Sequence, residues 1–164
     1  MTLKTIITAL LLTFSLGIAQ SQQSFPSVEV KTLDGKSVNI QDYANNGKIT
    51  IVSFWATWCT PCKKELDAFA DMYEEWQEAY DVEVLAITID TRRALAKVRP
   101  MVEQKGWPFE VLSDAAGLLK DAMNFQTIPQ TFIINKEGVI SYSHNGYVPG
   151  DEEEVGETLA ELAK

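Results

Sequence analysis

Cysteine and histidine are scarce in this chain, with two cysteines and one histidine among 164 residues. A structural zinc site wants four ligands, usually two Cys pairs or a Cys pair with two His. One Cys pair and the lone His144 argue against an intrachain zinc centre. Attachment of c-type haem needs a His directly after the second cysteine, and Lys63 stands there. Two cysteines cannot build the framework of bridges that staples small secreted domains. Internal repeats and long low-complexity segments are absent. Basic residues are outnumbered, 14 Lys and Arg against 23 Asp and Glu, for a formal charge of −9. Nucleic acid and anionic membrane surfaces are poor partners for such a protein. Much of the negative charge, as in Asp151-Glu152-Glu153-Glu154, reads as solvated helix face.

A long apolar run is also lacking. Ile6 to Ile18 is apolar but interrupted by Thr8, Thr13, Ser15 and Gly17, and a spanning helix needs about 20 apolar residues. Lys4 precedes the run, small residues Gly17 and Ala19 follow, and Gln20 to Ser24 are polar. This is the pattern of a secretory signal peptide over residues 1–19, with cleavage after Ala19, and after Ser21 as a second option. The alternative is that the run stays uncleaved as a membrane anchor. No cysteine lies near the cleavage region, which excludes a lipid-modified terminus. Residues 20–164 then form one domain, large enough to bury a core without disulfides.

What the chain does have is Cys59-Thr60-Pro61-Cys62, with Trp58 before it and Lys63 after it. The tetrad stands where a strand hands over to a helix. Two thiols two residues apart on a first helical turn can close a small disulfide and reopen it. The unpaired backbone N–H groups and the dipole of a helix N-terminus stabilise the thiolate this needs. Export with both cysteines in one tetrad argues for redox chemistry over stapling. An inert structural disulfide would explain neither Trp58 nor Pro61 nor the helix that follows.

Val28 to Val38 alternates around Asp34-Gly35, a two-residue hairpin signal. After the Asn45-Asn46-Gly47 turn, Ile49 to Trp55 is β-rich and apolar, as suits a strand buried on both faces. From Thr60 the period lengthens. Leu66, Phe69, Tyr73, Trp76 and Tyr80 recur every three or four residues, one stripe of an amphipathic helix, and Pro61 fits its first turn. Val82 to Ile89 predicts a second buried strand. Arg92 to Lys105 predicts a helix that Pro100 breaks or kinks. Phe109 to Leu112 reads as a strand, Ala115 to Met123 as a helix, Thr131 to Asn135 and Val139 to Ser143 as paired strands, and a last helix begins near Gly150. Strands alternating with helices predict an α/β sheet with parallel strands, finished by an antiparallel hairpin.

Several stretches resemble the exported TlpA/ResA-type thiol-disulfide oxidoreductases of the thioredoxin superfamily. Val52 to Glu65, which contains Trp58-Cys59-Thr60-Pro61-Cys62-Lys63, is similar to that family's active-site strand, loop and helix start. Thr127-Ile128-Pro129-Gln130-Thr131-Phe132 is similar to its cis-proline loop. Phe25-Pro26 with Leu33-Asp34-Gly35-Lys36 resembles its N-terminal extension, and Asp90 to Pro108 stands where the family inserts a helix. The resemblance implies a thioredoxin fold, a central mixed sheet flanked by helices, with an N-terminal β-hairpin extension and an inserted helix.

It also implies roles. Cys59, at the exposed helix terminus, is the expected nucleophile, and Cys62 the thiol that resolves the mixed disulfide. Thr60 and Pro61 tune how readily the disulfide forms. Trp58 caps the rim, while Trp55 belongs to the core. A cis bond at Pro129, which proline adopts at a cost of about 0.5–1 kcal/mol, sets Thr127 and Ile128 beside the thiols. Their free backbone groups could then pair with a substrate peptide. Glu65, three residues after Cys62 on the same helix face, is expected to exchange a proton with the thiols as a partly buried carboxylate. Thioredoxin itself has an Asp at the place matching Ser53, so proton handling falls to Glu65. His144 reads as a surface histidine.

The function implied is a disulfide reductase in an extracytoplasmic, for example periplasmic, compartment. It would act as a monomer on protein thiols and disulfides, for example those of apocytochromes awaiting haem. Electrons would come from a membrane thiol transporter of the CcdA/DsbD type, with no metal, cofactor or nucleic acid involved. An oxidase or isomerase is the first alternative, which the Thr-Pro dipeptide disfavours. A peroxidase of the peroxiredoxin type would need a Pro-x-x-x-Thr-x-x-Cys pattern that Ala56-Thr57-Trp58 does not supply. A non-catalytic binding module on a thioredoxin scaffold usually loses a cysteine, and both are present.

Overall fold

The computed structural model describes residues 23–164, so the predicted leader over 1–19 lies outside the described residues. Among the described residues no helix is long and apolar enough to cross a membrane. In chain order the elements are β1 (Glu29–Thr32), β2 (Ser37–Asn39), α1 (Ile40–Ala44), β3 (Ile49–Trp55), α2 (Thr60–Tyr80) and β4 (Val82–Thr88). A short 3₁₀ turn (Leu95–Lys97), α3 (Val98–Lys105), β5 (Glu110–Ser113), α4 (Leu118–Met123), β6 (Gln130–Ile134), β7 (Ile140–Asn145) and α5 (Asp151–Leu162) complete the chain.

The strands form one seven-stranded sheet in the order β2-β1-β5-β4-β3-β6-β7. Strands β3, β4 and β5 run parallel, while β1, β2, β6 and β7 pair antiparallel with their neighbours. The expected thioredoxin-like architecture of a mixed sheet flanked by helices is present. All seven residues of β3 are buried, as a two-faced central strand requires. Its odd positions, Ile49, Ile51 and Trp55, join a core with α2 and α5, and its even positions, Val52 and Phe54, join a second core with α1 and α4. This alternation puts Ser53 on the α2 side.

Helix α2 buries Leu66, Phe69, Tyr73 and Trp76 along the predicted stripe; each such burial is worth about 2 kcal/mol. Tyr80 is only half-buried at its end. Pro61 sits in the first turn, where its missing N–H removes no helical bond.

Three expectations need correction. The β1–β2 loop is longer than the two-residue signal. Thr32 N–H bonds Lys36 O at 2.9 Å and Gly35 N–H bonds Thr32 O at 2.9 Å, so Leu33, Asp34 and Gly35 form the loop, with Gly35 at φ +82°. A three-residue turn with glycine in the left-handed position is the next hairpin solution. Pro100 interrupts nothing: residues 91–97 are turns and 3₁₀ structure, and Pro100 lies in the first turn of α3, where N–H groups have no helical acceptor. Helix α1, which the hydrophobic pattern did not reveal, is five residues long, too short to show a period, and is capped by the Asn39 side chain on Gln41 N–H at 3.0 Å.

Candidate active site

The end of β3 and the start of α2 bring the two cysteines together. Cys59 is the N-cap of α2, its Sγ accepts from the Cys62 N–H at 3.3 Å, and the two residues are joined in a disulfide with Cα atoms 5.4 Å apart. A sulfur at a helix N-cap lies where backbone N–H groups and the dipole favour negative charge. Cys59 is 4% exposed and Cys62 fully buried, so the expectation of an exposed nucleophile is corrected for this oxidised state. The residues around the pair are open instead: Trp58 is 68% exposed, and Thr60 and Pro61 are exposed. Trp55 is core, as expected, crossing Trp107 edge-on at 5.0 Å with its indole N–H unpartnered among the described residues.

The segment leading into the pair is clamped from behind by a residue the sequence reading passed over. Asp90, just beyond β4 and 1% exposed, accepts from the Thr57 N–H at 2.7 Å, the Thr57 hydroxyl at 2.8 Å and the Thr88 hydroxyl at 2.7 Å. Lys63 Nζ donates to the Thr57 carbonyl at 3.0 Å. Thr57 is thus fixed from both sides immediately before Trp58 and Cys59. The available signal was an acid at the end of an apolar strand, a place where burial demands donors.

Glu65 is 2% exposed, more deeply buried than expected. The register explains its partners. Ser53 on β3 lies opposite Thr131 on β6, and both side chains face α2. The Ser53 hydroxyl donates to one Glu65 oxygen at 2.6 Å and the Thr131 hydroxyl to the other at 2.9 Å. Burial pushes the Glu65 carboxyl up to about 7, the two hydroxyl bonds pull it down, and the charge of Asp151 adds a smaller upward push. Its hydrogen bonds run to the two hydroxyls and not to the thiol pair toward which the helix face pointed.

The Ile128–Pro129 bond is cis. Because Phe54 pairs with Gln130, antiparallel β6 begins where β3 ends, which sets Pro129 alongside the start of the cysteine loop. Ile128 packs against the core that contains both cysteines. One expectation here is corrected. The Thr127 carbonyl is not open, because Asn145 Nδ2 donates to it at 3.1 Å, while Thr127 Oγ1 donates to Asn145 Oδ1 at 2.9 Å. The same Nδ2 reaches Gln130 Oε1 at 3.0 Å, so Asn145, at the far end of β7 in sequence, holds the loop. Among the described residues no hydrogen bond occupies the Ile128 backbone. His144 is not a plain surface residue either: its Nε2 lies 3.1 Å from Asp151 Oδ2, tying β7 to the start of α5.

The comparisons with known proteins agree with this geometry. The profile of the AhpC/TSA family matches residues 21–143. The thioredoxin-like protein YneN of Bacillus subtilis is 32% identical over 130 residues, covering 79% of this chain and 74% of the relative. The thiol-disulfide oxidoreductase ResA of Bacillus thuringiensis is 30% identical over 139 residues, covering 85% and 74%. Among solved structures, an uncharacterized thioredoxin-like protein from Porphyromonas gingivalis superposes with a TM-score of 0.76 at 40% identity, covering 85% of this chain and 91% of that one.

Proposed function

Because the chain belongs to the AhpC/TSA family and is a thiol-disulfide oxidoreductase, we propose that it works as an exported reductase of protein disulfides. The observation that carries this reading is the Cys59–Cys62 disulfide at the N-terminus of α2, backed by a buried carboxyl with a pKa near neutrality. In the reduced protein the Cys59 thiolate attacks a disulfide of the substrate. A Cys59–substrate bond forms, and one substrate sulfur leaves as thiolate and takes a proton. Cys62, once deprotonated, attacks the Cys59 sulfur. The Cys59–Cys62 bond closes, the second substrate thiolate leaves, and two electrons have passed from the protein to its substrate.

Glu65 handles the proton that leaves Cys62, because a carboxyl whose pKa lies near the working pH can both accept and return one. Trp58, Thr127, Ile128 and Pro129 meet the substrate chain, with the Ile128 backbone as the pairing edge. Thr60 and Pro61 set the disulfide's ease of formation. Residues 1–19 act as the export signal and residues 20–164 as the working, monomeric domain in an extracytoplasmic compartment. An oxidising compartment returns the pair to the disulfide, so turnover needs a donor, a membrane thiol transporter of the CcdA/DsbD type. The disulfide of an apocytochrome, whose freed thiols then await haem, is a substrate of the right chemistry.

The reduction potential of the Cys59–Cys62 pair, measured on the mature domain against a dithiol buffer, tests this reading. A value of about −270 mV or lower supports the reductase, and a value near −120 mV turns the protein into a disulfide donor.

A further inference from the structure

A cavity of about 890 Å³ opens along the same edge of the sheet as Cys59. The parallel run of β3, β4 and β5 brings all their C-terminal ends to that edge, with Cys59 beyond β3, Arg92 beyond β4 and the cavity beyond β5 and β1. Adjacent strands lie roughly 4.8 Å apart, so β5 and β1, which frame the cavity, lie roughly 10–14 Å to the side of β3. Its walls are the β1–β2 hairpin, the segment 92–100 and the start of α4.

Its chemistry is unlike the rest of this acidic chain. All three arginines of the protein, Arg92, Arg93 and Arg99, stand within eight residues together with Lys97, and Arg92 and Arg99 line the cavity. Arg99 is paired with Asp34 at 2.6 Å, whereas Arg92, Arg93 and Lys97 enter no ion pair among the described residues. Of the two acids in the lining, Asp114 spends its oxygens on the Leu119 and Lys120 N–H groups, at 3.2 and 2.8 Å. Glu29 and Asp114 therefore stand in the lining against Lys31, Arg92 and Arg99, and Arg93 and Lys97 beside the lining leave the surroundings of the groove basic. Leu95, Ala96, Pro100 and Leu118 supply aliphatic surface, Leu118 being 57% exposed. The Ser113 hydroxyl in the lining is buried without a partner among the described residues.

We propose that this groove docks an acidic segment of the protein substrate that also carries an aliphatic side chain, three or more residues from the reacting cysteine. The inference rests on the reading of the site as a reductase of protein disulfides. The spacing has a lower limit: an extended chain rises about 3.3 Å per residue, so about three residues are needed to cover the sideways step from β3 to the strands that frame the groove. The charge follows from Arg92 and Lys31 in the lining, which enter no ion pair among the described residues, with Arg93 and Lys97 beside them, and the aliphatic side chain from walls that a bare anion would leave wet. The groove thereby selects among disulfides that the thiol pair alone could not tell apart.

The test uses two synthetic peptide disulfides, one carrying a Leu-Asp-Glu segment four residues from its cysteine and the other Leu-Lys-Lys, with the small aromatic disulfide DTNB as reference. The mature domain is reduced with dithiothreitol and freed of it, and its single-turnover reduction of each disulfide in excess is followed, which gives the equivalents of kcat/KM and KM. The acidic peptide is expected to have a kcat/KM about tenfold above its lysine counterpart, the effect of one or two exposed ion pairs, and the preference should shrink with added salt. Arg92→Glu should erase the preference. Ala96→Trp, at an exposed position on the groove wall, should raise KM for the acidic peptide severalfold. Both variants should reduce DTNB as the parent does. Equal rates for the two peptides in the parent, or a preference that survives both variants, overturns the groove while leaving the reductase intact. Failure to reduce DTNB or either peptide overturns the reductase reading itself.

Discussion

The redox centre and the neighbouring groove share one edge of the sheet but are built on opposite principles. Around Cys59 and Cys62 the carboxylates are buried and partnered: Glu65 holds two hydroxyls, and Asp90 holds an amide and two hydroxyls. Around the groove the cations are exposed, and among the described residues Arg92 and Arg93 are in no ion pair and a buried serine hydroxyl has no partner. A centre that moves electrons and protons needs fixed geometry and controlled proton affinity, and burial supplies both. A surface that sorts partners needs charges that water can reach until the partner displaces it. Asp90 joins the two, since it clamps Thr57 on one side and precedes Arg92 on the other.

The largest separation of the two regions comes from Cys59→Ser. Reduction of DTNB and of both peptides should vanish, while the variant still binds the acidic peptide through the groove as the parent does. Stopped disulfide reduction together with isothermal titration checks both halves. Residual turnover would remove Cys59 from the nucleophile's role, and a parent that binds the peptide but reduces no disulfide would be a binding module instead. Next in size is Asp90→Ala. It leaves the Thr57 amide and two hydroxyls buried without an acceptor, at about 3–5 kcal/mol in total. The melting temperature of the domain should fall by roughly 10 °C or more, and thermal denaturation reads it directly. Asp90→Asn, which keeps an acceptor oxygen, should lose less. A negligible effect of Asp90→Ala would mean that the centre does not depend on the clamp.

The two regions were also unequally legible from the sequence. Strand β3 was read at its observed limits because six of its seven residues are apolar or β-branched, a run with only one good home in an α/β sheet. The cysteine loop, Pro61 and Pro129 were readable because few residue types can do what they do. What escaped was pairing across the sheet. Ser53 meets Thr131 only through the β3–β6 register, and no local pattern announces that two hydroxyls will converge on Glu65. Asn145 and Asp90 escaped for the same reason, each acting on residues 15 or more positions away. The groove escaped more completely. Its walls come from three separate segments, and its arginines sit in a stretch whose predicted long helix is turn, 3₁₀ helix and short α3.

The smallest effect, and the one that most sharpens the contrast between buried and exposed charge, comes from Glu65→Gln. Burial raises the Glu65 carboxyl from its ordinary 4.5 to about 7 in the folded state. Between these values the folded protein holds a proton that the unfolded chain has released, so stability falls as pH rises through that window. Below about 4.5 both states are protonated and the penalty is absent; above about 7 it is fully present and amounts to about 3 kcal/mol. Glutamine removes the titration, so the variant's urea midpoint should stay flat from pH 4.5 to 7 where that of the parent declines. At pH 8 the variant should be the more stable of the two, less the cost of imperfect bonds to Ser53 and Thr131. The rate at which Cys62 closes the disulfide should lose its dependence on a group titrating near 7. The acidic-peptide preference should not change, because Arg92 is an exposed charge whose effect is screened by salt and not set by burial. Parallel stability curves for the two proteins would show that Glu65 titrates as an ordinary carboxyl, and the buried centre would then lack the feature that sets it apart from the groove.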